Sequence, residues 1–200
     1  MADLKGELTI DNLAKFQSLC DHHWESTWIP YRDFFENKTC VDIGMWKGIL
    51  NARAKKDFNC NTTIGVEPNG IHLSDCGKMN PYTKLYTSIE QLPHMIDADV
   101  VLLHGVICLM GTHWTHELEN LLSKVNCRYI HIRHQGGDMF HHAKPTGTKR
   151  ETNRYNLDSY KDNPTSDDII NFLSAKGFNL IDQKTVDIKD SIIILQRRNI

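Results

Sequence analysis

The sequence predicts an α/β protein: a doubly wound, mostly parallel sheet of seven strands preceded by a helical segment. Three observations carry that expectation. From residue 39 onward, short apolar runs alternate with longer amphipathic stretches, the pattern of repeated βαβ units. The most apolar run, Asp99–His104 (DVVLLH), has the character of a central strand covered on both faces. Turn-forming residues close the first two strand-like runs, at the ends where such sheets hold ligands.

The elements follow in order. Thr39–Gly44 reads as the first strand, Ile49–Phe58 as a helix, and Thr62–Glu67 as the second strand, closed by Pro68, Asn69 and Gly70. Ile71–Met79 reads as a short helix, Thr83–Thr87 as the third strand and Asp99–His104 as the fourth. Trp114–Val125 has helical periodicity, with Thr112 placed to cap it, and Arg128–Arg133 is the fifth strand. A polar stretch, 135–164, is too long and too poor in apolar pattern for core, which marks it as a functional loop. Ser166–Lys176 is a helix with Ser166 as N-cap, Asp167 and Asp168 in its first turn, and Gly177 ending it. The tail Asn179–Val186 and Ser191–Arg197 reads as two strands joined by a short turn.

Ahead of the first strand, residues 1–37 hold Phe16, Trp24, Trp28, Tyr31, Phe34 and Phe35. Two readings stand: a helical pair packed against the sheet, or a lid whose rings exclude water and stack on a flat ligand. Two hundred residues suit one domain spanning 1–200.

The formal net charge is −2, which gives no electrostatic reason to expect nucleic acid or a membrane surface as partner. Lys144–Arg154 is diluted by Glu151 and reads as a solvated loop. Six single cysteines without a C-x-x-C pair read as reduced thiols, Cys40 and Cys108 among apolar neighbours. With no signal-like start and no long apolar stretch, a cytoplasmic protein is expected.

The chemistry-bearing pattern is Asp42-Ile43-Gly44-Met45-Trp46-Lys47-Gly48 after the first strand. Glycines there permit a sharp turn and close approach of a ligand, and the following helix offers unpaired N–H groups to an anion. Glu67 ends the second strand, nineteen residues beyond Gly48, where a carboxylate can take both hydroxyls of a ribose. Loop and acid together describe a nucleoside-containing cofactor. The dinucleotide order G-x-G-x-x-G is absent, and Gly48 is followed by Ile49 rather than Lys-Ser/Thr, so neither NAD nor a nucleoside triphosphate fits.

This D-x-G-x-x-x-G loop with an acid on the next strand resembles the class I S-adenosylmethionine-dependent methyltransferases over about residues 38–198. The two-strand tail resembles that family too, since its sheet ends with an antiparallel strand, as does Ser166-x-Asp168…Phe172-Leu173-x-x-x-Gly177-Phe178. The resemblance implies S-adenosylmethionine as cofactor. By position, Gly44, Met45 and Gly48 would approach its methionine part, and Asp42 would hold the turn near the amino group. Glu67 would take the ribose and Pro68 flank the adenine. Ser88, with its neighbour Ile89, would meet the adenine amino group at a place where the family often has Asp. His104 would sit beside the sulfonium. The departure is Trp46, where the family commonly has a middle glycine.

A general base helps when the acceptor is a hydroxyl or a protonated amine, and His suits that near neutrality. Among eleven histidines, His134 at the end of the fifth strand and His104 at the end of the fourth are the candidates. His131 and His134 share a strand but point to opposite faces, and no familiar zinc spacing appears, so no metal is expected. Leu103–Cys108 lacks the N-P-P-Y-like motif that cradles a nucleobase amine, and no Pro-Cys nucleophile stands there. The expected activity is methyl transfer to O or N of a small-molecule acceptor. Two alternatives remain: an RNA ribose or cap methyltransferase using the Lys144–Lys161 region for phosphates, and a non-catalytic binding module of the same fold.

Overall fold

A computed structural model describes residues 18, 20–70, 72–74, 82, 84–135, 164–187 and 190–198. Seven strands form one sheet: β1 Thr39–Ile43, β2 Asn61–Val66, β3 Lys84–Tyr86, β4 Ile96–His104, β5 Val125–Gln135, β6 Phe178–Asp187 and β7 Asp190–Arg197. Their order is β3-β2-β1-β4-β5-β7-β6. All pairs from β3 to β5 are parallel, and β7 runs antiparallel to both β5 and β6. The expected doubly wound sheet with its antiparallel C-terminal strand is therefore what the chain forms. Strand order reverses between β1 and β4, so the ligand crevice of such a sheet opens beyond Ile43 and His104.

Period-two alternation sorts the side chains onto two faces. Val41, Ile43, Val101, Leu103, Ile130, Ile132, Ile193 and Leu195 pack with Leu118 and Leu121 of α2 (Trp114–Lys124) and Ile169 and Leu173 of α3 (Ser166–Ala175). Cys40, Val100, Leu102, Ile192 and Ile194 face the other way, against Ala54 and Phe58 of α1 (Ile49–Phe58) and the aromatic N-terminal segment.

That segment is helical over 20–23, continues as a π turn, Trp24–Trp28, and ends in a 3-10 turn, Arg32–Phe34. Trp24, Trp28, Tyr31 and Phe35 are buried in the core, with Trp28 stacked on Trp24 at 6.0 Å and tilted against Phe35 at 4.5 Å. Its rings thus form a layer on the sheet face. Tyr31 fastens the segment to the edge strand, its hydroxyl donating to Asp182 at 2.8 Å. Arg133 of β5 fastens it in the middle, donating to Ser26 and Thr27 while also paired with Asp190 in the interior.

Several boundaries move relative to expectation. Helix α1 matches, because Gly48 and Asn59 stand at its two ends in the left-handed conformation. The N-cap of α3 is Thr165, not Ser166: its hydroxyl accepts the Asp168 N–H while the Asp168 carboxylate accepts the Thr165 N–H, a reciprocal capping box. Thr112 does not cap α2; it lies within a 3-10 turn, Gly111–His113, whose backbone is already helical. Strand β5 begins at Val125, directly on the end of α2. Of the expected helix Ile71–Met79 only 72–74 are described, and of the loop 135–164 only its ends; 136–163, with the Lys144–Arg154 run, lie outside the described residues. The five described cysteines are buried, Cys40 and Cys60 with their sulfurs 3.4 Å apart; Cys76 lies outside the described residues. Among the described residues no helix is long and apolar enough to cross a membrane.

Candidate functional site

The carboxyl ends of β1, β2 and β4 bring Asp42, Gly44, Gly48, Glu67 and His104 to one end of the sheet. After β1 the chain turns through Gly44 (φ 73°), Trp46 (φ 50°) and Gly48 (φ 68°). The outer two are glycines because that conformation costs them nothing. Trp46 adopts it with a bulky side chain, a backbone strain of about 1–3 kcal/mol that surrounding contacts must hold. Gly44 has a second reason to be glycine, since a Cβ there would stand 2.6 Å from Cγ2 of Val106, just beyond β4.

Glu67 supplies that hold. Its Oε2 accepts the Trp46 N–H and its Oε1 the Asn69 N–H, each at 2.9 Å. The carboxylate ties the loop after β1 to the loop after β2, and each oxygen keeps a further lone pair. Burial raises the Glu67 pKa, against the pull of those two backbone donors. Beneath the loop, Asp42 accepts from Asn51 Nδ2 of α1 and from the Tyr82 hydroxyl at 3.0 Å. Burial pushes its pKa up to about 7, the two hydrogen bonds opposing and the neighbouring Glu67 adding to the rise.

The Met45 side chain is buried with Tyr82 and packs over Gly65 of β2. Pro68 is exposed at the mouth. Ile89 is buried in the core, while Ser88 stands partly exposed beside it with its hydroxyl engaged by Glu90. Trp46 lies edge-on to His72 at 5.9 Å.

The two candidate bases fall on opposite faces. His134 points toward α3, is 1% exposed, and its Nε2–H donates to the Pro164 carbonyl at 2.8 Å. Its Nδ1 is buried without a partner, and burial lowers its pKa. His104 ends β4 on the N-terminal segment's face, partly exposed, with Trp28 edge-on at 5.5 Å. His104 Nε2 lies 2.8 Å from Nδ1 of His131, which is fully buried. Burial, then the neighbouring His131, Arg133 and His23, hold the His104 pKa well below its usual value. Burial brings that of His131 down to about 3. Both rings are neutral at neutral pH.

Sequence reasoning missed His131, Asn51, Tyr82 and Val106. The alternation Tyr129-Ile130-His131-Ile132-Arg133 does place His131 and Arg133 on one face. Nothing local ties Tyr82 to Asp42 across forty positions. A groove of about 540 Å³ between acidic Asp97 and Asp99 and basic Arg128, Arg197 and Arg198 lies at the other end of the sheet, where β1, β4 and β5 begin.

Solved methyltransferases share this architecture. The S-adenosylmethionine-dependent methyltransferase of Aquifex aeolicus superposes with a TM-score of 0.63 at 12% identity, covering 92% of this chain and 98% of its own. The magnesium protoporphyrin IX methyltransferase of Synechocystis, solved with bound S-adenosylhomocysteine, gives 0.62 at 14% identity over 98% of this chain and 90% of its own. The plantazolicin methyltransferase in complex with S-adenosylhomocysteine gives 0.63 at 16% over 94% and 91%. The chain therefore has the class I S-adenosylmethionine-dependent methyltransferase fold. No protein-family model and no curated protein sequence matches it.

Proposed function

We propose that this protein is an S-adenosylmethionine-dependent methyltransferase that acts on an oxygen or nitrogen of a small-molecule acceptor. The observation that carries the reading is Glu67: a buried carboxylate at the end of β2, fixed by the Trp46 and Asn69 N–H groups, with lone pairs left for two hydroxyls. The fold likeness supports it, as does the open turn at Gly44 and Gly48. Gly48 is an N-cap with no side-chain bond, which leaves the Ile49 and Leu50 N–H groups at the start of α1 for an anionic group such as an amino-acid carboxylate.

On this reading Glu67 holds the ribose, and the backbone from Gly44 to Gly48 holds the methionine part. Asp42 keeps that loop in place from below, while Pro68, Ser88 and Ile89 border the adenine. When bound, the cofactor would supply an activated methyl group to the acceptor's lone pair, leaving the acceptor's proton to be received by a group of this chain. His104 is assigned to receive that proton as the acceptor loses it; before transfer its lowered pKa keeps the ring neutral, so that no second positive charge stands beside a sulfonium. His134 is assigned to tie β5 to the start of α3. A net charge of −2 supports a small acceptor over nucleic acid.

The test is calorimetric titration with S-adenosylmethionine and S-adenosylhomocysteine. Micromolar binding is expected, weakened at least tenfold in Glu67→Ala, since two charge-assisted hydrogen bonds are worth about 1.5–3 kcal/mol each. Failure of the wild-type protein to bind either ligand refutes the proposal.

A further inference from the structure

We propose that the groove where β1, β4 and β5 begin is a second ligand site, in which Arg128 and Arg197 hold the phosphate of a small phosphate monoester. It lies at the opposite end of the sheet from Gly44, Glu67 and His104, and it is independent of the function proposed above.

Strand register builds the site. Ala98 pairs with Cys127 and Val100 with Tyr129, so Asp99 of β4 stands opposite Arg128 of β5. Tyr129 pairs with Gln196, so the next step of that antiparallel ladder sets Arg128 opposite Arg197 of β7. Arg197 pairs in turn with Phe178 of β6. Residues directly opposite one another share a face, so Asp99, Arg128 and Arg197 form one row across the sheet. A neighbouring pair, Asp97 and Asn126, adds to it. All five line the groove, with Thr39 and Arg198.

The charges of that row do not cancel. Asp99 is engaged by β1, its Oδ2 accepting both the N–H and the hydroxyl of Thr39 at 2.8 Å. Asp97 Oδ1 accepts from Asn126 at 2.9 Å. The ion pairs among the described residues include neither Arg128 nor Arg197. Two like charges opposite one another on adjacent strands are destabilising on their own.

Both guanidinium groups are nevertheless held in place. Arg197 Nε donates to the Cys127 carbonyl at 2.9 Å, and its guanidinium lies 4.7 Å from the centre of the Phe178 ring. That of Arg128 lies 5.1 Å from the centre of the Tyr129 ring. Contact with a ring uses the flat face of a guanidinium and spares its N–H edge. Arg198 is different: Nε and Nη2 bond Asn179 and the Ser174 carbonyl, so it fastens the end of α3 and adds charge.

A guanidinium fork matches the oxygens of phosphate or carboxylate. Two such cations, beside an acid already engaged, balance a dianion, which a phosphate monoester is at neutral pH. The groove of about 540 Å³ is in the range of small-molecule sites, with room for more than the phosphate. Asp97 and Asn126 offer acceptor oxygens to hydroxyl groups on the rest of the molecule.

The experiment is a ¹H–¹⁵N titration of the full chain with inorganic phosphate and with phenyl phosphate. Saturable shifts are expected at Asn126, Cys127, Arg128 and Arg197. Phenyl phosphate should bind more tightly as it gains its second charge between about pH 5 and about pH 7. Arg128→Gln, at an exposed position, should weaken binding about tenfold or more. Arg197→Lys, which keeps the charge and loses the fork, should weaken it as well. Arg32→Gln, a surface arginine paired with Glu36, should leave it unchanged. The proposal is overturned by absence of saturable shifts in the groove, or by an Arg128→Gln protein that binds as tightly as wild type. Shifts confined to Gly48, Ile49 and Leu50 also overturn it, since they place the anion at the start of α1. Equal affinity for phenyl phosphate across that pH range refutes recognition of the dianion. S-adenosylhomocysteine binding is measured separately, so either proposal can fail while the other stands.

Discussion

Replacing Asp42 with Asn separates the electrostatics of the loop from its shape. Asp42 is 4% exposed, and both its donors, Asn51 and Tyr82, reach the same oxygen, Oδ2. An Asn can present its carbonyl oxygen there and keep both bonds without ever ionising. In the folded protein burial raises the Asp42 pKa to about 7, whereas in the unfolded chain a carboxyl of this type titrates near about 3.9. Between those values the native state holds a proton that the unfolded state has released. Asp42 therefore lowers stability progressively as pH rises from about 4 to about 7, and the loss is constant above that. Three units of difference at about 1.4 kcal/mol each bound the effect at about 4 kcal/mol; water entry and relaxation bring the expected value to about 2–4 kcal/mol.

The wild-type curve alone does not isolate this. His131, with its folded pKa lowered to about 3, is neutral in the native state while the unfolded chain takes up a proton below about pH 6.5. Its contribution is lost as pH falls through that window, the opposite slope. The observable is thus the difference between Asp42→Asn and wild type in urea unfolding, measured from about pH 4 to about pH 8. It should grow with pH in favour of Asn and level off above about pH 7. Parallel stability curves would show that Asp42 is ionised at ordinary cost, and the account of the loop would fail.

Three further outcomes follow from packing and capping. Gly65→Ala should cost about 1–3 kcal/mol in urea unfolding, because its Cβ would run into Met45 Sδ and approach the Tyr82 ring at 3.0 Å; Met45→Ala in the same chain should recover part of it. Arg133→Met should cost about 3–5 kcal/mol by leaving Asp190 buried without its cation, and the double variant with Asp190→Leu should cost markedly less; additive losses would contradict the pairing. The Arg133 change should also speed limited proteolysis around Ser26 and Thr27, which lose their anchor. Thr165→Ala should lower stability by about 1 kcal/mol through loss of the capping box, and Ser166→Ala by a few tenths at most, read from thermal unfolding.

The fold was legible where local pattern and turn chemistry agree. Helix α1 could be bounded to the residue because Gly48 and Asn59 both accept the left-handed conformation that ends it. Strand β4 was recognisable from its apolar centre but not from its start, since Ile96-Asp97-Ala98 mixes polarity and gains its pairing only from β5. The cap of α3 slipped by one residue because Thr165 and Ser166 are chemically alike, and only the reciprocal bond to Asp168 distinguishes them. In the site, Asp42, Gly44, Gly48 and Glu67 could be read from their spacing along two successive βα turns. The contacts that tune them could not: Tyr82 meets Asp42, and His131 meets His104, only because sheet order brings distant segments together.

The aromatic N-terminal segment gains a purpose from this division of the sheet. Asp42, His104, His131 and Arg133 all lie on the face that α1 and this segment cover; the opposite face of those strands is aliphatic apart from His134. Trp28, Tyr31 and Phe35 make the surroundings of the two histidines dry, and burial is the largest influence on each of the three titrating groups, Asp42, His104 and His131. It moves the acid up and the bases down, in every case toward the uncharged form. Arg133, on the same face, is paired with Asp190 in the interior. A crevice so arranged carries little charge of its own beyond Glu67, so a positively charged ligand centre seated beyond β4 would find the neutral His104 ring at the strand end rather than a competing cation. Of the two readings of the N-terminal rings, packing against the sheet is the arrangement Trp24, Trp28, Tyr31 and Phe35 take, and their burial biases the groups beneath them toward the uncharged form.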